Sequence, residues 1–424
     1  MLPHQWRQLE MRGYLDNFTA VAPGGAGTHR GLSFVDSDLY KWLEAAAYTL
    51  GNGAIDAASV EGRELARWVE RAVDTISRAA MPDGYLNTYH QALGGRRRWT
   101  SLLVDHELYC AGHLIEAGCA LDESGVTDDL LGTATRFADH IVECFASPSR
   151  GVPGHEEVEL ALVRLAKRTG QDDYLAMAAE FVHRRGRHNR YPSALVKDVV
   201  RAARTAFEVR RRLVSVALAD EEVEDEATFG FEAGPWRSLP RVATQFLTGA
   251  YFQDRVPLTD LGVAEGHAVR AGYLFAGAGD VALARGDEAL GARLAAIWER
   301  TTGRRAYVSG GMGSLPTVEG FGRDYELPNR GYAETCAAIA GFLWSWRMLL
   351  LSGESRYAEW MERALHNAVL SGVSLGGDRY FYQNPLVSHG EDRRRPWYAV
   401  ACCPPNIARI IASLGRYLLT QSDD

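Results

Sequence analysis

Three turns of one form constrain the fold of this chain more than any other feature. Arg168-Thr169-Gly170-Gln171-Asp172-Asp173, Arg285-Gly286-Asp287-Glu288 and Ser352-Gly353-Glu354-Ser355 each put a glycine after one apolar-periodic stretch and an acidic residue at the start of the next. Glycine stops a helix because it accepts the left-handed conformation, and an acidic side chain suits the first turn of the following helix, where the helix dipole is positive. Helical periodicity also covers Asp38 to Leu50, Gly62 to Ala79, Asp105 to Ala120, Asp128 to Phe145, Leu261 to Ala284, Tyr332 to Leu351 and Asn406 to Leu419. Ten or more helices in antiparallel pairs predict an all-α toroid or solenoid, whose unit repeats in structure and not in sequence. Strand signals are few and late, at Arg305 to Ser309, Asp378 to Tyr382 and Trp397 to Ala401, and are expected to form small hairpins at one mouth of the toroid.

A length of 424 residues suits two or three domains, but one closed toroid can absorb it all. Between Arg184 and Phe252 the pattern turns charged and irregular around one long amphipathic helix, which reads as an insertion at about 187–241. The domain expectation is therefore one barrel over 1–424 carrying that insertion. Net charge is −8, from 46 basic and 54 acidic residues. A nucleic-acid binder normally shows a basic surplus, so that class is disfavoured. The opening MLPHQWRQLEMRG lacks the apolar core of a secretory signal, and no stretch of about 18 uncharged apolar residues follows. The expectation is a cytoplasmic protein with no membrane partner. Six cysteines are too sparse for a disulfide framework in a chain this long, which leaves thiol or metal chemistry.

The most informative string is Ala401-Cys402-Cys403-Pro404-Pro405-Asn406, followed by Ile407, Ile410, Ile411, Leu414 and Leu418 at helical spacing. Pro405 suits a first helical position and should push Pro404 out of the α region, so the cysteines are expected just before a helix N-terminus. The positive end of a helix favours the thiolate, the species that attacks carbon or binds metal. A pair of buried small hydrophobes is the equally weighted plain reading. Tyr332-Ala333-Glu334-Thr335-Cys336 adds a carboxylate and a third thiol, two positions apart, so both reach one ion only from an irregular first turn. Glu334, Cys336, Cys402 and Cys403 together make a three-sulfur, one-carboxylate set, a plausible tetrahedral site with zinc as the default metal. Spacing alone does not establish that the two strings meet.

The Gly-rich stretch Ser309-Gly310-Gly311-Met312-Gly313-Ser314 lacks the Lys-Ser/Thr ending of a phosphate loop. Downstream, Glu319 sits between Val318 and Gly320-Phe321, where partial burial would raise its pKa and suit it to general acid work. His106, His155 and His267 each precede a helical stretch. Alone each reads as structural, but helix starts around a toroid converge on one mouth. Trp42, Tyr85, Tyr89 and Tyr382 lie near loop motifs, where an aromatic ring can stack on a sugar.

Together these strings resemble the catalytic region of glycoside hydrolase family 127, retaining β-L-arabinofuranosidases with a zinc-bound cysteine nucleophile. The resemblance rests on Asp36-Ser37-Asp38-Leu39-Tyr40-Lys41-Trp42-Leu43-Glu44-Ala45, Pro82-Asp83-Gly84-Tyr85-Leu86-Asn87-Thr88-Tyr89, His106-Glu107-Leu108-Tyr109-Cys110-Ala111-Gly112-His113, Gly266-His267-Ala268-Val269-Arg270, Ala333-Glu334-Thr335-Cys336 and Cys402-Cys403-Pro404-Pro405-Asn406. It covers most of the chain outside the insertion. It implies an (α/α)6 barrel, zinc held by Glu334, Cys336, Cys402 and Cys403, Cys402 as nucleophile and Glu319 as acid/base. It also implies that His106, His155, His267 and Tyr382 hydrogen-bond the sugar. Family members usually continue into C-terminal β-sandwich domains, which this chain is expected to lack.

The expected function is release of a terminal β-L-arabinofuranosyl or related furanose from an oligosaccharide or glycoconjugate, with homo-oligomerisation left open. Two alternatives stand beside it. One is a sugar epimerase on the same barrel, using histidine acid/base pairs and indifferent to chelation. The other is a non-catalytic carbohydrate-binding zinc protein.

Overall fold

A computed structural model describes residues 1–95, 97–147, 151–187 and 235–418. The expected insertion at about 187–241 lies almost wholly outside the described residues. Six helices form a closed inner ring: α3 (Asp36–Gly51), α6 (Glu107–Glu123), α8 (Val158–Thr169), α11 (Ala268–Arg285), α13 (Thr335–Ser352) and α15 (Cys403–Ala412). Each packs on the next, and α15 packs back on α3. An outer layer covers them, made of α4 (Val60–Ala79), α7 (Asp129–Phe145), α9 (Asp172–Arg184), α12 (Glu288–Arg304) and α14 (Ser355–Ala364). The N-terminal pair, α1 (Leu2–Met11) and α2 (Tyr14–Val21), completes that layer, with α1 touching both α3 and α15. Between them in sequence lie the short α5 (Thr88–Ala92) and α10 (Pro235–Thr248), which packs on the turns Ala250–Phe252 and Pro316–Val318. This is the (α/α)6 barrel.

The local causes are those of helical hairpins. Gly170, Gly286 and Gly353 end their helices in the left-handed conformation, at φ of 71°, 64° and 70°. Asp287 caps α12 by accepting the Leu290 N–H at 3.0 Å, and Ser59 caps α4 from Gly62 at 2.9 Å. Outer helices are apolar on one side only, whereas α6 is buried at every residue from Glu107 to Leu121 because it has neighbours all round. Among the described residues one helix, Thr335–Ser352, is long and apolar enough to cross a membrane by length and composition. It is the fifth helix of the inner ring and mostly buried, and its one charge, Arg347, pairs with Asp280 at 2.9 Å.

The expected strands are reduced, among the described residues, to isolated bridges: Ala306 with Met312, and Tyr380 with both Val373 and Arg395. Side chains replace the missing ladder. The Tyr398 hydroxyl donates to the Tyr380 carbonyl at 2.8 Å and accepts the Tyr382 N–H at 3.0 Å.

The barrel axis is polar. The Arg409 guanidinium lies 3.1 Å from Glu44 and 3.3 Å from Glu157, and donates to Asn406 Oδ1 and the Tyr273 hydroxyl, both at 2.6 Å. His113 joins at 3.0 Å from Glu157. One buried cation thus ties α15 to α3, α8 and α11, with two carboxylates offsetting its desolvation.

Candidate active site

Five of the six inner helices begin at residues of one polar cluster. His106, Glu157, His267, Glu334 and Cys402 are the N-caps of α6, α8, α11, α13 and α15. Because the inner helices run in the same sense, these caps line a single mouth, and His155 lies two residues before the second of them, Glu157.

The two cysteine strings meet. Cys336 Sγ lies 3.7 Å from Cys402 Sγ and 3.2 Å from Cys403 Sγ, which are 3.8 Å from each other. Glu334 Oε1 is 3.6 Å from both Cys402 and Cys403. A tetrahedral zinc with Zn–S of about 2.3 Å and Zn–O of about 2.1 Å has S···S edges of about 3.8 Å and S···O edges of about 3.6 Å. Four of the five edges match within 0.1 Å. Glu334 Oε2 is buried without a hydrogen-bond partner. The four residues can hold a metal ion, and the donor set is that of a soft or borderline one.

Electrostatics point the same way. Burial, together with the Cys402 charge, pushes the Glu334 carboxyl well up, and burial and the neighbouring thiols do the same to Cys403. The hydrogen bond to Cys336 raises Cys402. Only Cys336 moves down, to about 6; burial opposes that, but donation from the other two thiols and the buried Lys41 ammonium outweigh it. Four anions do not coexist in so small a buried volume unless a cation joins them.

The α15 helix starts two positions earlier than expected, at Cys403 instead of Pro405, and Pro404 and Pro405 are both helical. First-turn residues have no carbonyl four positions back to bond, so the prolines cost the helix nothing there. Cys336 stands in the first turn of α13, and the extended cap Glu334 (φ −62°, ψ 137°) brings its carboxylate round beside it.

A second group adjoins the first. Glu319, His267 and Glu334 have ligand atoms within 4.8 Å of one another. His267 Nδ1 accepts the Val269 N–H at 3.2 Å, which makes Nε2 the donor to Glu319 Oε2 at 2.9 Å. Backbone pairing sets this contact: Phe321 N–H donates to Gly266 at 2.9 Å and Ala268 N–H to Glu319 at 3.0 Å. Gly320 permits the approach, since a Cβ there would sit 2.1 Å from the Gly266 carbonyl oxygen. Glu319 itself is held at φ 49°. The expected rise in its pKa is not what the structure gives. Burial does push the carboxyl up, but the hydrogen bond and charge of His267, and then Tyr332, hold it below the ordinary glutamate value.

His106 and His155 sit beside this group, their rings 5.3 Å apart, with His267 6.0 Å beyond His155. Each donates Nδ1–H to a carbonyl, His106 to Val104 and His155 to Glu156, so Nε2 is left as an acceptor. Burial keeps both neutral; it lowers His106 to about 3. The Tyr382 hydroxyl lies 3.2 Å from Cys402 Sγ. Trp42 and Tyr85 are fully buried and Tyr89 nearly so, packed in the core rather than offered to a ligand. Of the cluster residues, Cys402 and Glu319 keep partial exposure, while Glu334, Cys336 and Cys403 are buried. Access thus sets Cys402 and Glu319 apart from the other three. Sequence reasoning gave no role to Lys41, Tyr332, Glu157 or Arg409: Lys41 and Arg409 are single charges in apolar helical runs, Tyr332 follows a glycine, and Glu157 is one of the glutamates of Glu156-Glu157-Val158-Glu159.

Residues 1–416 match the model of a family described as "Beta-L-arabinofuranosidase, GH127 catalytic domain". The chain is 34% identical over 412 residues to a non-reducing end beta-L-arabinofuranosidase of Bifidobacterium longum subsp. longum, covering 93% of this chain and 56% of that enzyme. A solved GH127 beta-L-arabinofuranosidase from Geobacillus stearothermophilus T6 superposes with a TM-score of 0.81 at 35% identity, over 100% of this chain and 63% of that one. A solved GH127 beta-arabinofuranosidase superposes at 0.79 and 31% identity, over 98% and 58%. The chain therefore spans about three fifths of the length of these relatives.

Proposed function

The chain belongs to the GH127 beta-L-arabinofuranosidase catalytic domains, and on that premise we propose that it is a retaining glycosidase releasing terminal β-L-arabinofuranosyl or related furanose residues, with Cys402 as nucleophile and Glu319 as acid/base. The observation that carries this reading is the half-exposed Cys402 at the corner of a zinc-sized tetrahedron, beside a half-exposed glutamate held by His267. Zinc, when bound by Glu334, Cys336, Cys402 and Cys403, supplies the charge that keeps the thiolates ionised at neutral pH.

Glu319 donates its proton to the glycosidic oxygen while Cys402 Sγ bonds to the anomeric carbon and the C–O bond breaks. Water then attacks that carbon, Glu319 takes the water proton, and the C–S bond breaks to return the Cys402 thiolate. Two displacements retain configuration. The low resting pKa of Glu319 suits the second half; a sugar that expels the remaining water from the carboxylate raises it for the first. His106 and His155 offer Nε2 acceptors to sugar hydroxyls, and Tyr382 orients the Cys402 sulfur. The whole of 1–424 acts as one catalytic barrel in this reading.

The test is hydrolysis of an aryl β-L-arabinofuranoside by the chain and by its Cys402→Ala variant, with product configuration read by NMR. Retained configuration and loss of turnover in the variant support the assignment. Inverted product, or a fully active variant, refutes it.

A further inference from the structure

We propose that His90, Asp105 and Glu107 form a second metal site, for a divalent cation of the zinc or manganese class, in the wall that carries His106. It shares no residue with the cysteine cluster. His90 lies on α5, where Asn87 caps the helix by accepting the His90 N–H at 3.1 Å, and Asp105 and Glu107 flank His106 in sequence. His90 Nε2 is 3.6 Å from Asp105 Oδ2 and 3.7 Å from Glu107 Oε2, and one donor atom from each of the three residues lies within 4.8 Å of the others.

Neither ring nitrogen of His90 has a hydrogen-bond partner, although the residue is 1% exposed. A buried polar atom left unpaired is costly, and here one of them faces two carboxylates at just more than hydrogen-bond distance. The gap is the right size for an ion. Zinc or manganese bound by nitrogen and oxygen at about 2.1 Å in a tetrahedron has ligand edges of about 3.4 Å, so the two edges that meet at His90 exceed those of a bound cation by only a few tenths of an ångström.

The carboxylate is already oriented for the task. Tyr85 donates its hydroxyl to Glu107 Oε1 at 2.5 Å and the Trp99 N–H donates to Oε2 at 2.9 Å, the kind of outer support that fixes a ligating carboxylate. The nearby Arg98 does not oppose a cation with a free charge, because it pairs with Asp83 at 2.7 Å and lies over the Tyr85 ring. Three protein ligands leave a position for water.

The consequence falls on His106. That residue and Trp99 both hold left-handed backbone, at φ 56° and 57°, a conformation that non-glycine residues keep only under external constraint. A cation at His90, Asp105 and Glu107 cross-links α5 to the segment bearing both, and so fixes His106 at the mouth.

Metal stoichiometry tests this without reference to turnover. The purified chain, dialysed against buffered Zn2+ and measured by elemental analysis, is expected to hold about two ions, and His90→Gln and Asp105→Asn each about one. The Cys336→Ser variant should lose the other ion. With Co2+ in place of zinc, the intense sulfur-to-cobalt absorption should persist in His90→Gln and vanish in Cys336→Ser. Far-UV circular dichroism confirms that each variant is folded, and Asp105→Asn, altering the most exposed of the three side chains, serves if His90→Gln fails to fold. Two ions retained in a folded Asp105→Asn or His90→Gln variant, or one thiolate-bound ion alone in the parent chain, overturns the proposal. A failure of the cysteine assignment shows itself separately, as cobalt bound with no sulfur absorption.

Discussion

His267 is locked by its own helix into the tautomer that serves Glu319: with Nδ1 accepting the Val269 N–H, Nε2 has only a proton to offer the carboxylate 2.9 Å away. That donor, working against burial, keeps Glu319 below the ordinary glutamate range. Replacing His267 by Phe removes the opposing influence, so burial dominates and the carboxyl pKa rises. The limb of the kcat/KM pH profile that reports Glu319 should therefore move to higher pH, with a loss in kcat of about 10²-fold or more. An unmoved limb would separate His267 from the titration of Glu319.

Cys402→Ala should lower turnover by at least about 10³-fold while leaving the helical circular dichroism unchanged, since the side chain is small and half-exposed. Cys403→Ala should cost comparable activity by a different route, through lost metal. Elemental analysis distinguishes them: each variant keeps three of the four ligands, but water can take the place of the partly exposed Cys402 more readily than that of the buried Cys403, so Cys402→Ala should retain more ion.

Stripping the metal with a strong chelator should abolish hydrolysis and lower the melting temperature, and Zn2+ should restore both. Protons compete with the ion for three thiolates and a carboxylate, so affinity should fall as pH falls. Calorimetric titration at two pH values measures it. Full activity in verified metal-free protein would remove the ion from the mechanism.

Arg409→Met should destabilise the chain by about 3–5 kcal/mol in urea unfolding, because Glu157 is then buried without its cation and Glu44 keeps only Arg164 at 3.8 Å. The double variant Arg409→Met, Glu157→Gln should recover part of the loss, since that stranded charge is gone. A loss below 1 kcal/mol (roughly the value of an exposed pair) would mean that water reaches the axis.

Gly272→Ala should cost about 1–3 kcal/mol despite the better helix propensity of alanine, because the added Cβ meets the Ala340 Cβ at 2.6 Å across the α11–α13 contact. Thermal unfolding measures it.

Much of this was legible in the residues. Gly170, Gly286 and Gly353 announce their turns because a left-handed stop is a local property. The Cys402-Cys403-Pro404-Pro405 string announces a helix start because proline has few tolerable positions, although the tolerance of a whole first turn for proline hid which residue began it. The joining of Glu334 and Cys336 to that string was suggested by their chemistry and required the ring to bring α13 beside α15. Arg409 and Glu157 were not legible: a charge inside an apolar run, or one glutamate among three in Glu156-Glu157-Val158-Glu159, looks the same whether it faces solvent or a barrel axis. The aromatic runs at Asp378 to Tyr382 and Trp397 to Ala401 misled as strands, because their pairing partners are tyrosine hydroxyls and single bridges.

The cysteine cluster draws on the fifth and last helices of the inner ring, and the last is also the one that meets the first. It acts as the clasp of a bracelet. During synthesis Glu334 and Cys336 leave the ribosome well ahead of Cys402 and Cys403, so the growing chain carries only two of the four residues that could hold an ion. Firm capture awaits the helix that closes the circle. Retained metal then certifies, in one reading, that every link before it has found its place.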